Sequence, residues 1–79
     1  MPQDQRAVPQ LDFSGLTCPL PLLKTKLALN KLPSGGRIEI KATDPGSVRD
    51  FQVFAEQSQY QLERWWQEGE HYYYQLLKP

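Results

Sequence analysis

The chain has 79 residues, in which nine basic and nine acidic side chains cancel, and its pI is near 6.5. Its length suffices for one small domain but not for two hydrophobic cores, and its neutrality argues against nucleic acid or a membrane surface as the binding partner. A single cysteine excludes an intrachain disulfide, and no apolar run is long enough for a membrane span or a signal peptide. These features predict a soluble cytoplasmic protein.

The N-terminal residues 1–8 are polar and contain proline, which predicts a flexible lead-in before a single domain at residues 9–79. The first element of that domain is a short strand at Gln10–Phe13, where polar and apolar residues alternate and Leu11 and Phe13 point inward. Ser14 and Gly15 end this strand.

Cys18 is the only cysteine, and it precedes Pro19, Leu20 and Pro21 where a strand gives way to a helix. Proline is well suited to the first helical position, so the pattern predicts Cys18 as the N-cap. Unpaired N–H groups and the positive end of the helix dipole would then favour the thiolate, which is the reactive form of cysteine. The alternative is a buried cysteine that packs as a small hydrophobe.

The helix that follows is predicted over Pro19–Leu32, and its apolar residues fall on two arcs. The arc expected to face the core comprises Leu22, Thr25, Ala28, Leu29 and Leu32. Leu20, Leu23 and Leu27 form the second arc, which is either more of the core or a partner-docking patch beside Cys18. Lys24 and Lys26 are either solvated charges or groups that attract an anionic sulfur species.

The rest of the chain predicts a strand, a second helix and a hairpin. Arg37–Thr43 alternates with Ile38, Ile40 and Ala42 inward. The second helix is expected to run to about Gln59, with Ser47 as its N-cap and Asp50 completing a capping box. Two strands, 61–67 and 72–77, follow with Gly69 in the connecting turn. The predicted core residues of this hairpin are Leu62, Trp66, Tyr72, Tyr74 and Leu76.

The element order β-α-β-α-β-β predicts a two-layer α/β sandwich with two helices on one face of a four-stranded mixed sheet. The first two strands are expected to be parallel, so the loop of Cys18 and the loop that begins at Asp44 should meet at one edge of the sheet. Both helices begin at that edge, where their dipoles favour an anionic group. Arg49 would add a charge there or be a solvated surface residue.

These residues resemble the TusA/SirA family of small sulfur-carrier proteins. The resemblance is carried by Leu11-Asp12, Gly15-Leu16, Cys18-Pro19-Leu20-Pro21, Asp44-Pro45 and Arg49-Asp50 at this spacing, and it extends from about Leu11 to Lys78. It implies that Cys18 carries sulfane sulfur as a persulfide, with Pro19 and Pro21 shaping its loop. A donor such as a cysteine desulfurase would load the carrier, and a downstream acceptor protein would unload it.

One position departs from the family member that serves tRNA thiolation, which resembles Cys-Pro-Glu-Pro where this chain has Leu20. Exchanging a carboxylate for leucine beside the thiol changes the surface that a partner meets. The sequence therefore predicts a paralogue with other partners. The candidate contacts for a partner or an anion are Lys24, Asp44, Arg49, Leu23 and Leu27.

The main alternative is a non-catalytic domain that binds protein or RNA through aromatic residues of the hairpin, with Trp65 and Tyr73 exposed on the uncovered face of the sheet. His71 is expected at the surface of the turn rather than as a general base. One cysteine and one histidine are too few for a structural zinc site, so we expect no metal. We also expect no cofactor, and a carrier that is monomeric when free. The carrier is expected to relay sulfur rather than to turn over a small molecule as an enzyme does.

Overall fold

The computed structural model describes residues 8–79 of the chain. Its elements are β1 (Gln10–Asp12), α1 (Leu20–Asn30), β2 (Arg37–Ala42), α2 (Gly46–Gln57), β3 (Gln61–Glu68) and β4 (His71–Leu77). The predicted order of elements is confirmed. The predicted lead-in lies outside the described residues except for Val8, and the division into lead-in and domain stays a prediction.

The four strands form one mixed sheet in the order β1-β2-β4-β3. β1 pairs with β2 in parallel, with Leu11 opposite Ile40, and β4 pairs antiparallel with both β2 and β3. Parallel strands need a crossover connection, and α1 supplies it. The predicted sandwich with a mixed sheet is therefore confirmed.

The hydrophobic core lies between the sheet and the two helices. Its fully buried apolar residues are Leu29 of α1, Phe51 of α2, Ile38, Ile40 and Ala42 of β2, and Tyr74 and Leu76 of β4. The rings of Phe51 and Tyr74 stack with their centroids 4.2 Å apart. This stack ties α2 to the centre of the sheet, because aromatic pairs add about 0.5–1.5 kcal/mol beyond the area that they bury.

A β-bulge in β3 changes the face of the sheet on which each tryptophan lies. The register shifts between Leu62 and Arg64, so that Trp65 pairs with Tyr74 and Trp66 pairs with Tyr73. Because one extra residue reverses the alternation of side chains along a strand, Trp65 lies on the helix-covered face and Trp66 on the open face. The predicted placement of Trp66 in the core was therefore wrong. Trp65 was predicted to be exposed and is 40% exposed, although it lies on the same face as Tyr74 and not on the open face.

The helix ends also differ from the predicted ones. α1 begins at Leu20 with Pro19 as its N-cap, and α2 begins at Gly46 with Pro45 as its N-cap. Cys18 and Ser47 are therefore not the N-caps. The last turn of α1 is held by Lys78, whose ammonium donates to the carbonyl oxygens of Leu29 and Leu32 at 3.1 and 2.8 Å. A cation at a helix C-terminus satisfies carbonyl groups that have no partner within the helix.

The helices of residues 8–79 are 11 and 12 residues long, and neither is long and apolar enough to cross a membrane.

Candidate functional site around Cys18

Cys18 lies on the exposed loop between β1 and α1, at the edge of the sheet where β2 also ends. The loop that follows β2 contacts it directly, because the Cys18 N–H donates to Oδ2 of Asp44 at 2.9 Å. Gly46 is next to this contact: a Cβ atom there would lie 3.3 Å from Oδ2 of Asp44, the oxygen that accepts the Cys18 N–H, and in ordinary contact with the Cys18 Cβ at 3.7 Å. The predicted meeting of these two loops is confirmed.

Asp44 is held in place by a chain of hydrogen bonds that reaches into the core. The Ser47 hydroxyl donates to the Asp44 carbonyl at 2.7 Å and lies 2.7 Å from the hydroxyl of Tyr74. Since the Ser47 hydrogen is used by the carbonyl, the Tyr74 hydroxyl donates to the Ser47 oxygen. Burial raises the pKa of Tyr74 to about 12, so this hydroxyl stays protonated, and therefore a donor, even above pH 10. The cysteine loop is thus anchored, through Asp44 and Ser47, to a buried residue of β4.

Asp50 reaches the sulfur atom itself. The Cys18 thiol donates to Oδ2 of Asp50 at an Sγ to Oδ2 distance of 2.6 Å. This hydrogen bond, followed by partial desolvation and by the negative charges of Asp50 and Asp44, raises the pKa of the Cys18 thiol. The sequence-based expectation of a thiolate stabilised by the dipole of α1 was therefore wrong in direction. The capping box was also wrong, since Asp50 accepts from the thiol.

The basic residues predicted near the site lie beside it rather than on the sulfur. Arg49 is exposed and lines a groove of about 520 Å³ between α1 and α2, together with Asp50 and Lys26. Lys24 is exposed and lines a second groove, of about 450 Å³, between α1 and β1. Within residues 8–79 the hydrogen bonds of Cys18 go to Asp44 and Asp50, and to neither Lys24 nor Arg49.

The second arc of α1 is at the surface. Leu20, Leu23 and Leu27 are 42%, 47% and 63% exposed. On the opposite arc Thr25 and Leu29 are fully buried, and Leu22, Ala28 and Leu32 are partly buried. Of the two predictions for the leucines, the core one was wrong. The structure thus places an apolar stripe along α1 that begins two residues after the cysteine.

The open face of the sheet carries an aromatic pair. The rings of Trp66 and Tyr73 stack at 5.1 Å, and the guanidinium carbon of Arg64 lies 4.6 Å from the centre of the Trp66 ring. His71 lies at the start of β4, 6.5 Å from Tyr73 between ring centres. The residues of this cluster lie on β3 and β4, whereas Cys18 lies on the loop between β1 and α1, so the two are separate features of the surface.

Asp50 is the residue at the cysteine that sequence reasoning assigned to another role. The contact between Asp50 and Cys18 could have been predicted, because α2 begins at the same sheet edge as the cysteine loop and Asp50 lies just over one turn into that helix. Within residues 8–79 no group of three His, Cys, Asp or Glu side chains is arranged to hold a metal ion.

Comparisons with known proteins agree on one family. The family model described as sulfurtransferase TusA matches residues 9–78. The chain is 45% identical over 69 residues to the sulfur carrier protein TusA of Allochromatium vinosum, covering 87% of this chain and 91% of that protein. It is 38% identical over 60 residues to the putative sulfur carrier protein YrkI of Bacillus subtilis, covering 76% and 80% of the two chains.

The fold agrees with a solved structure as well. The crystal structure of a SirA-like protein from Desulfitobacterium hafniense superposes with a TM-score of 0.75 at 24% identity, covering 86% of this chain and 93% of that one. At that identity the likeness concerns the fold alone. Because the family model spans nearly all of the described residues, the protein belongs to the TusA family of sulfurtransferases.

Proposed function

We propose that this protein is a sulfur carrier that accepts sulfane sulfur as a persulfide on Cys18 and passes it to another protein. The observation that carries the proposal is the exposed position of Cys18 on a loop that Asp44 holds at the sheet edge, in a chain whose relatives are named sulfur carriers. An exposed sulfur suits this role, because it must enter the active site of a partner.

The transfer is an exchange at sulfur that needs no external oxidant or reductant. The Cys18 thiolate attacks the outer sulfur of a donor persulfide; the new S–S bond forms as the donor's S–S bond breaks, and the donor leaves as a thiolate that takes up a proton. The outer sulfur of the Cys18 persulfide is then attacked by an acceptor thiolate in the same way. Each sulfur atom moves without net oxidation, so one cysteine is sufficient for the relay.

We propose a cysteine desulfurase as the class of donor and a second protein as the acceptor, both in the cytoplasm, with the carrier monomeric when free. The apolar stripe of Leu20, Leu23 and Leu27 supports protein partners, because it adjoins Cys18 and is exposed. Leu20 occupies the variable position of the Cys-Pro-x-Pro motif within this stripe. Its apolar side chain supports a partner set different from that of the tRNA-thiolation carrier.

The test is intact-mass analysis after incubation of the protein with a cysteine desulfurase and cysteine, with Cys18→Ser as the matched control. We expect a gain of one sulfur atom on the wild-type protein that a reductant removes, and no gain on the variant. The same assay with a polysulfide as donor separates a wrong donor from a wrong carrier. A thiol that gains sulfur from neither donor contradicts the proposal.

A second candidate function is a non-catalytic protein-binding or RNA-binding domain, favoured by the stack of Trp66, Tyr73 and Arg64 on the open face. Stacked aromatic residues can bind bases, but the neutral chain lacks the basic surface that phosphate binding needs. The two functions are separated by their dependence on residues. A carrier loses its activity on Cys18→Ser and keeps it on Trp66→Ser, whereas a binding domain shows the opposite.

A further inference from the structure

Two carboxylates face the reactive end of the site, although the proposed chemistry requires a thiolate. Asp50 accepts a hydrogen bond from the Cys18 thiol, with 2.6 Å between Sγ and Oδ2. Asp44 accepts one from the backbone N–H of the same residue, with 2.9 Å between N and Oδ2. Within residues 8–79 these are the charged groups that act on the sulfur, one from α2 and one from the loop before it. A thiol surrounded in this way is protonated more firmly than a free cysteine.

We propose that Asp50, supported by Asp44, keeps Cys18 as a slowly reacting, protonated thiol in the free carrier, and that a partner releases it by presenting a cationic group to these carboxylates. This inference rests on the proposed function. Asp50 would then contact the reacting sulfur atom directly, and the partner would carry a cationic group that meets the carboxylates of Asp44 and Asp50.

The balance of charges at the site favours a cationic partner. When the thiol loses its proton, the site holds three negative charges, on Cys18, Asp44 and Asp50, and their repulsion opposes ionisation. Asp44 and Asp50 are both partly accessible to solvent, so a docking protein can reach them. A lysine or arginine placed against Asp50 would compete with the thiol for Oδ2 and would stabilise the thiolate that remains.

The protection would benefit a carrier with an exposed cysteine. Oxidation and alkylation proceed through the thiolate, so a thiol kept protonated reacts slowly with small electrophiles in solution. Reaction is then confined to a partner that both docks and neutralises the carboxylates. The sulfur can therefore be exposed to solvent and still react selectively with its partner.

The first test is the rate of Cys18 alkylation by iodoacetamide as a function of pH. Asp50→Asn is nearly isosteric and removes only the charge, so we expect its rate profile to move to lower pH. A lower thiol pKa raises the thiolate fraction at neutral pH and reduces the intrinsic nucleophilicity of the thiolate by less. Each tenfold rise in thiolate fraction is accompanied by roughly a threefold fall in nucleophilicity, so the net gain in rate is about threefold for each tenfold rise. Glu56→Gln, an exposed carboxylate elsewhere on α2, is the matched control and should leave the profile unchanged.

The second test measures charge preference with small disulfides, which need no assumption about the partner. We expect wild-type Cys18 to exchange severalfold faster with the dication cystamine than with neutral dithiodiethanol, and we expect Asp50→Asn to reduce that ratio. An unchanged pH profile together with an unchanged ratio would overturn the inference. A structural role alone would lower the melting temperature of Asp50→Asn and leave both readouts unmoved.

These results are independent of the carrier assay. Sulfur gain on Cys18 with no effect of Asp50→Asn on either readout would refute the guarding role and leave the proposed function intact. An alkylation profile that moves to lower pH, in a protein that gains no sulfur from desulfurase or polysulfide, would refute the proposed function instead.

Discussion

The hydrogen bonds that connect Tyr74, Ser47 and Asp44 predict that Ser47→Ala will strongly destabilise the protein. Ser47 is 1% exposed, and its hydroxyl bonds to the Asp44 carbonyl and to the Tyr74 hydroxyl, each at 2.7 Å. Alanine fits the space but removes both bonds. The Asp44 carbonyl keeps the N–H of residue 47 as a donor at 3.0 Å, whereas the buried Tyr74 hydroxyl loses its partner.

The expected magnitude follows from these two losses. Leaving a buried hydroxyl without a partner costs about 1–3 kcal/mol, and one lost hydrogen bond to a carbonyl that is still bonded costs about 1 kcal/mol. The sum is roughly 2–4 kcal/mol. Tyr74→Phe leaves the serine with its donor bond satisfied, so we expect the smaller loss of about 1 kcal/mol. A domain of this size is stabilised by only about 4–12 kcal/mol in total, so both losses are measurable.

The assay is equilibrium unfolding in urea of both single variants and the double variant. Phenylalanine removes the hydroxyl that Ser47→Ala leaves without a partner, so the double variant should be no less stable than Ser47→Ala alone. The exposed Ser34→Ala is the control and should change the free energy of unfolding by less than about 0.5 kcal/mol. Single losses that simply add in the double variant would refute the coupling between these two residues.

Three further predictions follow from other features. Tyr74 has a folded pKa of about 12 against about 10 in the unfolded chain, so its contribution to the free energy of unfolding is complete below pH 10 and is lost as pH rises toward 12. Over that range, urea unfolding should show the wild type losing up to about 2–3 kcal/mol of stability relative to Tyr74→Phe. The same dependence of stability on pH in both proteins would contradict this prediction. Leu23→Glu and Leu27→Glu should slow sulfur loading by a desulfurase severalfold, while the free energy of unfolding changes by less than about 0.5 kcal/mol. Equal slowing when inorganic polysulfide is the donor would argue against a role of these leucines in docking a protein. Trp66→Ser should leave the sulfur gain on Cys18 unchanged in intact-mass analysis, and loss of that gain would connect the open face to the carrier activity.

Local patterns in the sequence predicted the elements well and the helix caps poorly. The alternation in β2 and the two arcs of α1 reflect burial on one side of an element, which the period of the side chains records directly. Caps depend on which groups are near each helix end. Ser47 has the residue type of an N-cap, but its hydroxyl is used by Asp44 and Tyr74, and the latter is 27 residues away in the chain.

The two tryptophans show the same limit in the sheet. Strict alternation from Leu62 places Trp66 in the core, and nothing local marks the extra residue in β3. The bulge is defined by how β3 pairs with β4, with Leu62 opposite Leu76 and Arg64 opposite Gln75, and pairing between strands is a property of two segments.

By itself the sequence determined the order of elements, the parallel pairing that brings two loops to one sheet edge, and a single cysteine in the Cys-Pro-x-Pro motif of its family. Only the tertiary structure decided the ionisation of that cysteine. The thiol meets a carboxylate 32 residues further along the chain, at 2.6 Å, and this hydrogen bond raises the pKa of Cys18 where the dipole of α1 alone predicted a lower one. Electrostatic effects depend on distance in space, and the distance between Cys18 and Asp50 is fixed only when α2 packs beside the cysteine loop.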